Sequence, residues 1–414
     1  MSMQGQGIAA KTFMEPPAAR VAMVGAGYWG KNLVRNLHEL GALGAICDSN
    51  VDSLADLKAQ YPECRCVGSY ADVLQDTNLP AVVIATPAET HGALVREALL
   101  AGKDVYVEKP LCLSVEEGRA LVDLALKRGR ILMVGHLLWY HPAILKLKEL
   151  IVNGELGRIQ YIYSNRLNLG KIRREENILW SFAPHDISVI LGLLGEMPDS
   201  VQAQGGNYLH QQIADVTVSL LSFPSGVKAH VFVSWLHPFK EQKLVVVGDR
   251  KMAVFNDLEK KDKLLLYPHS IAWKDRLPIA NRAEAQPVPL DSTEPLRAEC
   301  EHFLECVSTR RPPRTDGEEG VRVLSVLQRC QDSLANKAMT LSGPVPATQI
   351  HTSPTSLPSF MTGWRSAKGQ YLARKPCPEG HQNREKLQDR TKCRDRPKCD
   401  RWQRRQDPEQ CVGL

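Results

Sequence analysis

Two side chains in this sequence have the makings of acid–base work. Lys109 closes the apolar run Val105-Tyr106-Val107 within Glu108-Lys109-Pro110. A lysine at the end of a buried strand, beside a proline that fixes the chain, is poorly solvated, so its pKa falls. It can then take the proton of a substrate hydroxyl while a hydride leaves the same carbon. The plain alternative is a surface salt bridge. Glu108 is placed to orient the lysine or a bound ribose. His185 is the second candidate, in Trp180-Ser181-Phe182-Ala183-Pro184-His185-Asp186, just ahead of an amphipathic helix expected from Ile187. A helix-capping role is its alternative.

A departing hydride needs an acceptor, and the N-terminal region is built to hold one. Val21 to Val24 is long enough for one buried strand. Gly25-Ala26-Gly27-Tyr28-Trp29-Gly30 follows, then a helical spacing of Leu33, Val34, Leu37 and Leu40, then the apolar run Leu43 to Cys47 ending on Asp48. Such a glycine pattern alone is often only a turn. With strand, helix, second strand and acid in place it is the dinucleotide-binding fingerprint. Gly25 permits the turn, Gly27 lets backbone approach a pyrophosphate, Gly30 lets helix and strand pack, and the helix start offers free N–H groups. Asp48 accepts ribose hydroxyls and repels a 2′-phosphate, so NAD is expected over NADP.

The elements that must position these groups alternate at first. Strands at Ala81–Ala85, Val105–Val107 and Ile131–Val134 are separated by helical spacings, among them His91–Ala101 and one capped by Ser114 through Glu117. This predicts a doubly wound parallel sheet, with ligands at the strands' carboxyl ends. From Gly135 the rhythm changes. After a helix over Pro142–Asn153 come mostly strand-like runs: Ile159–Leu167, Val201–Gly205, Val216–Phe223, Val227–Ser234, Lys243–Val247, Met252–Phe255 and Leu264–Tyr267. Late helices follow at Arg297–Ser308 and Gly317–Lys337. The fold class expected is α/β: a Rossmann domain, then an α/β domain with a mostly antiparallel open sheet. Boundaries fall at a leader 1–18, an NAD-binding domain 19–135, a substrate-binding and oligomerisation domain 136–340, and a linker with a disordered tail 341–414. An open sheet leaves one face for a partner subunit, so a homodimer or homotetramer is expected.

The chain of 414 residues is 43% hydrophobic and 24% charged, the balance of a soluble globular protein. No apolar run is long enough for a membrane span, and the leader lacks a signal peptide's apolar core. The net charge of +6 is local: from Trp364 to Leu414 there are 14 Lys+Arg against 7 Asp+Glu, leaving the rest at −1. Eleven cysteines are scattered without paired C-x-x-C sets, which reads as reduced thiols in the cytoplasm and no metal site.

Gly25 to Gly30, Ala85-Thr86-Pro87 with His91, and Glu108-Lys109-Pro110 together resemble the Gfo/Idh/MocA oxidoreductases, over roughly residues 18 to 340. The resemblance implies NAD(P)-linked chemistry at a sugar hydroxyl. It also implies cofactor contacts from Gly25, Ala26, Gly27, Tyr28, Trp29, Gly30, Asp48, Thr86, Pro87, His91, Glu108 and Lys109. Family members usually carry an acid four residues before the histidine at position 185; here Ser181 stands there. His136 and His141, near Tyr140 at the domain junction, are candidate substrate contacts with Tyr140, and either histidine could equally be packing. Arg166 and Arg173 are candidates too, in a stretch holding four cations (Arg166, Lys171, Arg173, Arg174) that reads either as a solvated run or as a mouth for a sugar diphosphate. This stretch resembles the nucleotide-sugar branch of the family, the 3-dehydrogenases of UDP-N-acetylglucosamine and its uronate. That branch is bacterial, and a separate PLP aminotransferase converts its 3-keto product to an amino sugar for surface glycolipids. A free-sugar or inositol dehydrogenase and a dinucleotide-sensing regulator are the other readings.

The tail holds a hidden period: Asn383-Arg384, Asp389-Arg390 and Asp395-Arg396 recur every six residues. Read one base later, its codons permit Ile-Gly hexapeptides resembling the β-helical acyltransferases that N-acylate amino sugars. Such a tail would be out-of-frame sequence, and the gene would carry an open β-helix frame just downstream. The competing expectation is a basic nucleic-acid-binding tail with Trp364 and Trp402 as stacking residues.

Overall fold

A computed structural model of the chain describes residues 20–170, 172–173 and 176–335. The leader, and the segment 341–414 with its hexapeptide-like period, lie outside the described residues.

The N-terminal sheet contains β1 (Val21–Val24), β2 (Leu43–Cys47), β3 (Arg65–Val67), β4 (Ala81–Ile84), β5 (Asp104–Glu108) and β6 (Leu132–Gly135). Their order is β3-β2-β1-β4-β5-β6, with every pair parallel. β1, β4, β5 and β6 are buried at every position, which explains their unbroken apolar character. Helices α1 (Gly30–Glu39), α2 (Val51–Gln60), α3 (Tyr70–Gln75), α4 (Ala88–Leu100) and α5 (Val115–Arg128) make the crossovers. The Ser114 hydroxyl caps α5 by accepting from the Glu117 N–H, and Gly129 ends that helix in the left-handed region. The chain order reverses between β1 and β4, so the crevice for a ligand opens at their carboxyl ends.

A 3-10 turn (Leu137–Tyr140) and α6 (Pro142–Val152) lead into the second sheet. Its strands are β7 (Ile159–Leu167), β8 (Ser200–Gly206), β9 (Val216–Ser222), β10 (Lys228–Ser234), β11 (Glu241–Gly248), β12 (Met252–Asn256), β13 (Leu264–Tyr267) and β16 (Gln286–Pro287). They run in the order β16-β13-β12-β11-β7-β10-β9-β8. Only β7 and β10 pair in parallel, so the sheet is mostly antiparallel, as the alternation predicts. β14 (Ser270–Lys274) and β15 (Leu277–Asn281) form a separate hairpin, exposed throughout, that the hydrophobic pattern does not announce.

Helix α7 departs from expectation. It runs from Ile178 to Leu194, capped by the Asn177 side chain, with Pro184 inside it. A proline three residues before a helical pattern reads as a helix start, yet the apolar positions Ile178, Leu179 and Ala183 are fully buried and carry the helix back another two turns. His185 is therefore mid-helix and not a cap. Helices α8 (Pro295–Thr309) and α9 (Gly317–Ala335) return to the first domain. Residues 315–316 pair with β6, through the Val134 N–H to the Thr315 carbonyl and a bridge between Met133 and Asp316. One hydrophobic core runs through both sheets' packing helices, from Val21 to Cys330.

Candidate active site

The glycine turn has the geometry its sequence predicts. Gly25 has φ +86°, and a side chain there would press on Ala85 and Thr86 at the end of β4. A Cβ on Gly30 would lie 2.1 Å from the Gly25 carbonyl oxygen, whereas one on Gly27 would meet open space. The start of α1 has no side-chain cap and no acid in its first turn. Within that turn the Lys31 N–H donates to the Gly27 carbonyl and the Asn32 N–H to that of Trp29, and the positive dipole end favours an anion. Asp48, at the end of β2, accepts from the Ala26 N–H (2.7 Å) and the Asn50 N–H (2.8 Å), which fixes its carboxylate beside the turn with lone pairs to spare. Tyr28 is exposed at the turn's tip. An open cradle at Gly27, a helix start without a side-chain cap and an anchored acid suit a dinucleotide.

Trp29 reaches from this turn across to β5. Its Nε1 donates to Glu108 Oε1 at 2.6 Å, and the Tyr106 hydroxyl and Lys109 N–H also donate to the Glu108 carboxylate, each at 3.3 Å. Burial pushes the Glu108 pKa up while these donors oppose the shift. Thr86 exchanges a hydroxyl bond with Thr90, and Pro87 caps α4 with its carbonyl accepting from Thr90. His91, expected at the cofactor, is buried, with Nδ1 2.7 Å from the Pro110 carbonyl oxygen and Nε2 2.9 Å from that of Thr86. It straps the loops after β4 and β5 together, with both ring nitrogens on backbone carbonyls.

Lys109 crosses to the second domain. Its Nζ donates to the Ser181 carbonyl on α7 at 2.7 Å. Burial is the main cause lowering its pKa; Glu176 and Glu108 oppose this, and Arg173 and Arg166 add to it. One turn along α7, His185 is driven well below the usual imidazole range, first by burial and then by Lys109, Arg166 and His136. Its Nδ1 is buried with no hydrogen-bond partner among the described residues. The structure thus brings into electrostatic reach of one another a lysine and a histidine whose pKa values are both lowered by burial, the two groups singled out by residue chemistry.

The expected substrate contacts divide. Arg173 pairs with Glu176 (3.2 Å) in the loop beside Lys109. Arg166 is buried in a two-point bond to Asp186 (2.8 and 3.3 Å), whose carboxylate also accepts from Ser164. Tyr140 is turned into the core, its hydroxyl on Thr315 and its ring under the Arg314 guanidinium, so packing, and not substrate contact, describes it. His136 stands edge-to-face with His185 at 6.4 Å between centroids and bonds to Glu319 of α9.

Two buried acids escape a reading of the sequence. Glu319 is one. The other is Glu299 of α8, wholly inaccessible, where burial and the nearby Glu108 charge push its pKa well above the carboxylate range. Both lie on the apolar stripes of their helices, Glu299 between Leu296 and Phe303, Glu319 in line with Val323 and Val326. That placement was the available signal. The described cysteines are free; burial raises Cys47, Cys64, Cys112, Cys306 and Cys330 to about 11, too high for ready reactivity. Among the described residues no acid, histidine and cysteine cluster suits a metal ion, and no helix is long and apolar enough to cross a membrane.

Comparison with known proteins agrees with this geometry. A family profile for oxidoreductases with an NAD-binding Rossmann fold (GFO_IDH_MocA) matches residues 19–136, and the GFO/IDH/MocA C-terminal domain profile matches 144–254. The chain is 28% identical over 307 residues to UDP-N-acetylglucosamine 3-dehydrogenase of Acidithiobacillus ferrooxidans, covering 74% of this chain and 94% of that one. A solved structure of UDP-N-acetylglucosamine 3-dehydrogenase from that organism matches with a TM-score of 0.68 at 26% identity, covering 77% of this chain and 97% of the other. It is also 28% identical over 256 residues to the NAD-dependent scyllo-inositol 2-dehydrogenase of Bacillus subtilis, covering 58% of this chain and 71% of that one. The chain belongs to the Gfo/Idh/MocA family of oxidoreductases, with NAD as its cofactor.

Proposed function

We propose that this protein oxidises the 3-hydroxyl of a UDP-linked N-acetylated hexosamine, UDP-N-acetylglucosamine or its uronate, to the 3-keto sugar. The observation that carries the chemistry is Lys109, held between the domains on the Ser181 carbonyl with His185 one turn beyond. Gly25 to Gly30 and Asp48 would hold the cofactor, with Glu108 and its Trp29 tie at the inner end. Bound there, NAD supplies the acceptor for the hydrogen leaving the sugar carbon. Lys109, its pKa lowered, is available as the neutral amine that takes the hydroxyl proton at Nζ. The Ser181 carbonyl aims that amine, and the buried, neutral His185 is available to pass the proton on. Arg173, on the loop beside Lys109, supplies positive charge toward a sugar diphosphate.

The substrate class is supported by similarity to the Acidithiobacillus enzyme over nearly that protein's whole length. The inositol dehydrogenase match favours a second reading, oxidation of a free cyclitol. A regulator that only senses NAD would have no use for a lysine tuned in this way. Mixing the protein with NAD and either UDP-N-acetylglucosamine or scyllo-inositol separates these readings. A PLP aminotransferase with glutamate is added to draw off the ketone. NADH with the first alone supports the proposal; NADH with the second alone supports the cyclitol reading; none with either points to a sensor. The working unit we propose is a homo-oligomer, with a second copy covering the apolar outer face of the eight-stranded sheet.

A further inference from the structure

We infer that Glu319, far along the chain from the glycine turn, is a positioning residue for both histidines of the site. The inference rests on the proposed use of Lys109 and His185, and it adds the group that ties His136 to the helix carrying His185. Glu319 lies in the first turn of α9, where the helix dipole favours a carboxylate, and its N–H is capped by Asp316 Oδ1 at 2.8 Å. Pairing of residues 315–316 with β6 brings this turn beside His136, which follows β6 directly. Both carboxylate oxygens are spent. Oε2 accepts from His136 Nδ1 at 2.5 Å, and Oε1 accepts from the Ser188 hydroxyl at 2.6 Å. Ser188 is on α7, one turn past His185. One buried acid therefore grips one histidine directly and the helix of the other.

The consequence is chemical as well as spatial. A carboxylate can only accept, so His136 must carry its proton on Nδ1, and Nε2 is left as its acceptor. The ring stands edge-to-face with His185, too far for a direct bond and near enough for one bridging water or a substrate hydroxyl. The other acids around the pair are engaged elsewhere: Asp186 with Arg166 and Ser164, Glu108 with Trp29, Glu176 with Arg173. Among the described residues Glu319 is the acid bonded to His136, and it reaches His185 only through Ser188 on the same helix.

Nitrogen-15 NMR of the histidine rings reads the tautomer without substrate or turnover. His136 is expected as Nδ1–H in the wild-type protein, and Glu319→Gln is expected to lose that preference. A wild-type His136 protonated on Nε2 alone would overturn the inference whatever the variant does. With the substrate turned over by the wild type, Glu319→Gln should lower kcat about 10- to 100-fold, the order lost when groups of a site are misplaced by about 1 Å, with KM for NAD unchanged. Unchanged kcat in a variant with the native melting temperature would also overturn it. Lys109→Ala keeps the two questions apart: it tests the catalytic reading and leaves the His136 tautomer as in the wild type.

Discussion

At Lys109 burial is the main reason the ammonium is poorly solvated and its pKa falls below the ordinary lysine range; Glu176 and Glu108 oppose the shift, and Arg173 and Arg166 add to it. In the proposed reaction the neutral amine is the working form. Activity should therefore fall as pH drops through this lowered pKa, and kcat/KM against pH should show that limb below where a free lysine titrates. Lys109→Ala should cut kcat by about a hundredfold to ten-thousandfold, the share of a general base, with the Kd for NAD nearly unchanged. Lys109→Arg should be as inactive, since a guanidinium keeps its proton. Asp48 governs a separate choice. Asp48→Ala should reduce the preference for NAD over NADP by about tenfold, or ~1.4 kcal/mol, checked by titrating both dinucleotides.

Helices α7, α8 and α9 carry what the glycine turn cannot. Glu299 on α8 is the sharpest case. Its folded-state pKa is raised, so the folded chain keeps a proton that the unfolded chain releases. The stability this group permits is whole below the ordinary carboxylate pKa and declines as pH rises toward the folded value. Glu299→Gln should therefore melt close to the wild type below the ordinary carboxylate range and increasingly above it as pH rises toward the folded value; parallel curves at all pH values would refute the buried neutral acid. These elements also mark where the sequence is legible. The β1–α1–β2 unit, β4 and β5 could be read because full burial leaves unbroken apolar runs and because the glycines have one steric reason to be there. The start of α7 could not, since Pro184 inside a helix reads as its beginning. The β14–β15 hairpin buries no face and so leaves no alternation to find. His91 and Tyr140 look like site residues from their neighbours, but their bonds go to backbone and core, which only three dimensions disclose.

Across the whole molecule, each half of the site comes from a different domain: Lys109 and Glu108 from the Rossmann sheet, Ser181 and His185 from α7. The bond from Lys109 to Ser181 spans the join. On the far side, β9 exposes Val218 and Leu220, and the hairpin exposes Ile271, Trp273, Leu277 and Ile279. For a self-associating chain, sedimentation should report a dimer or tetramer, and Leu220→Lys with Trp273→Glu should shift it toward monomer; a monomeric wild type would contradict the proposed assembly. The most direct test of the chemistry follows one atom. UDP-N-acetylglucosamine with deuterium at C3 is turned over with NAD, and the NADH is weighed by mass spectrometry. Deuterium should appear in the NADH with the wild type, and Lys109→Ala should form that labelled NADH about a hundredfold to ten-thousandfold more slowly. NADH formed without the label, or labelled only from another carbon, would contradict oxidation at C3.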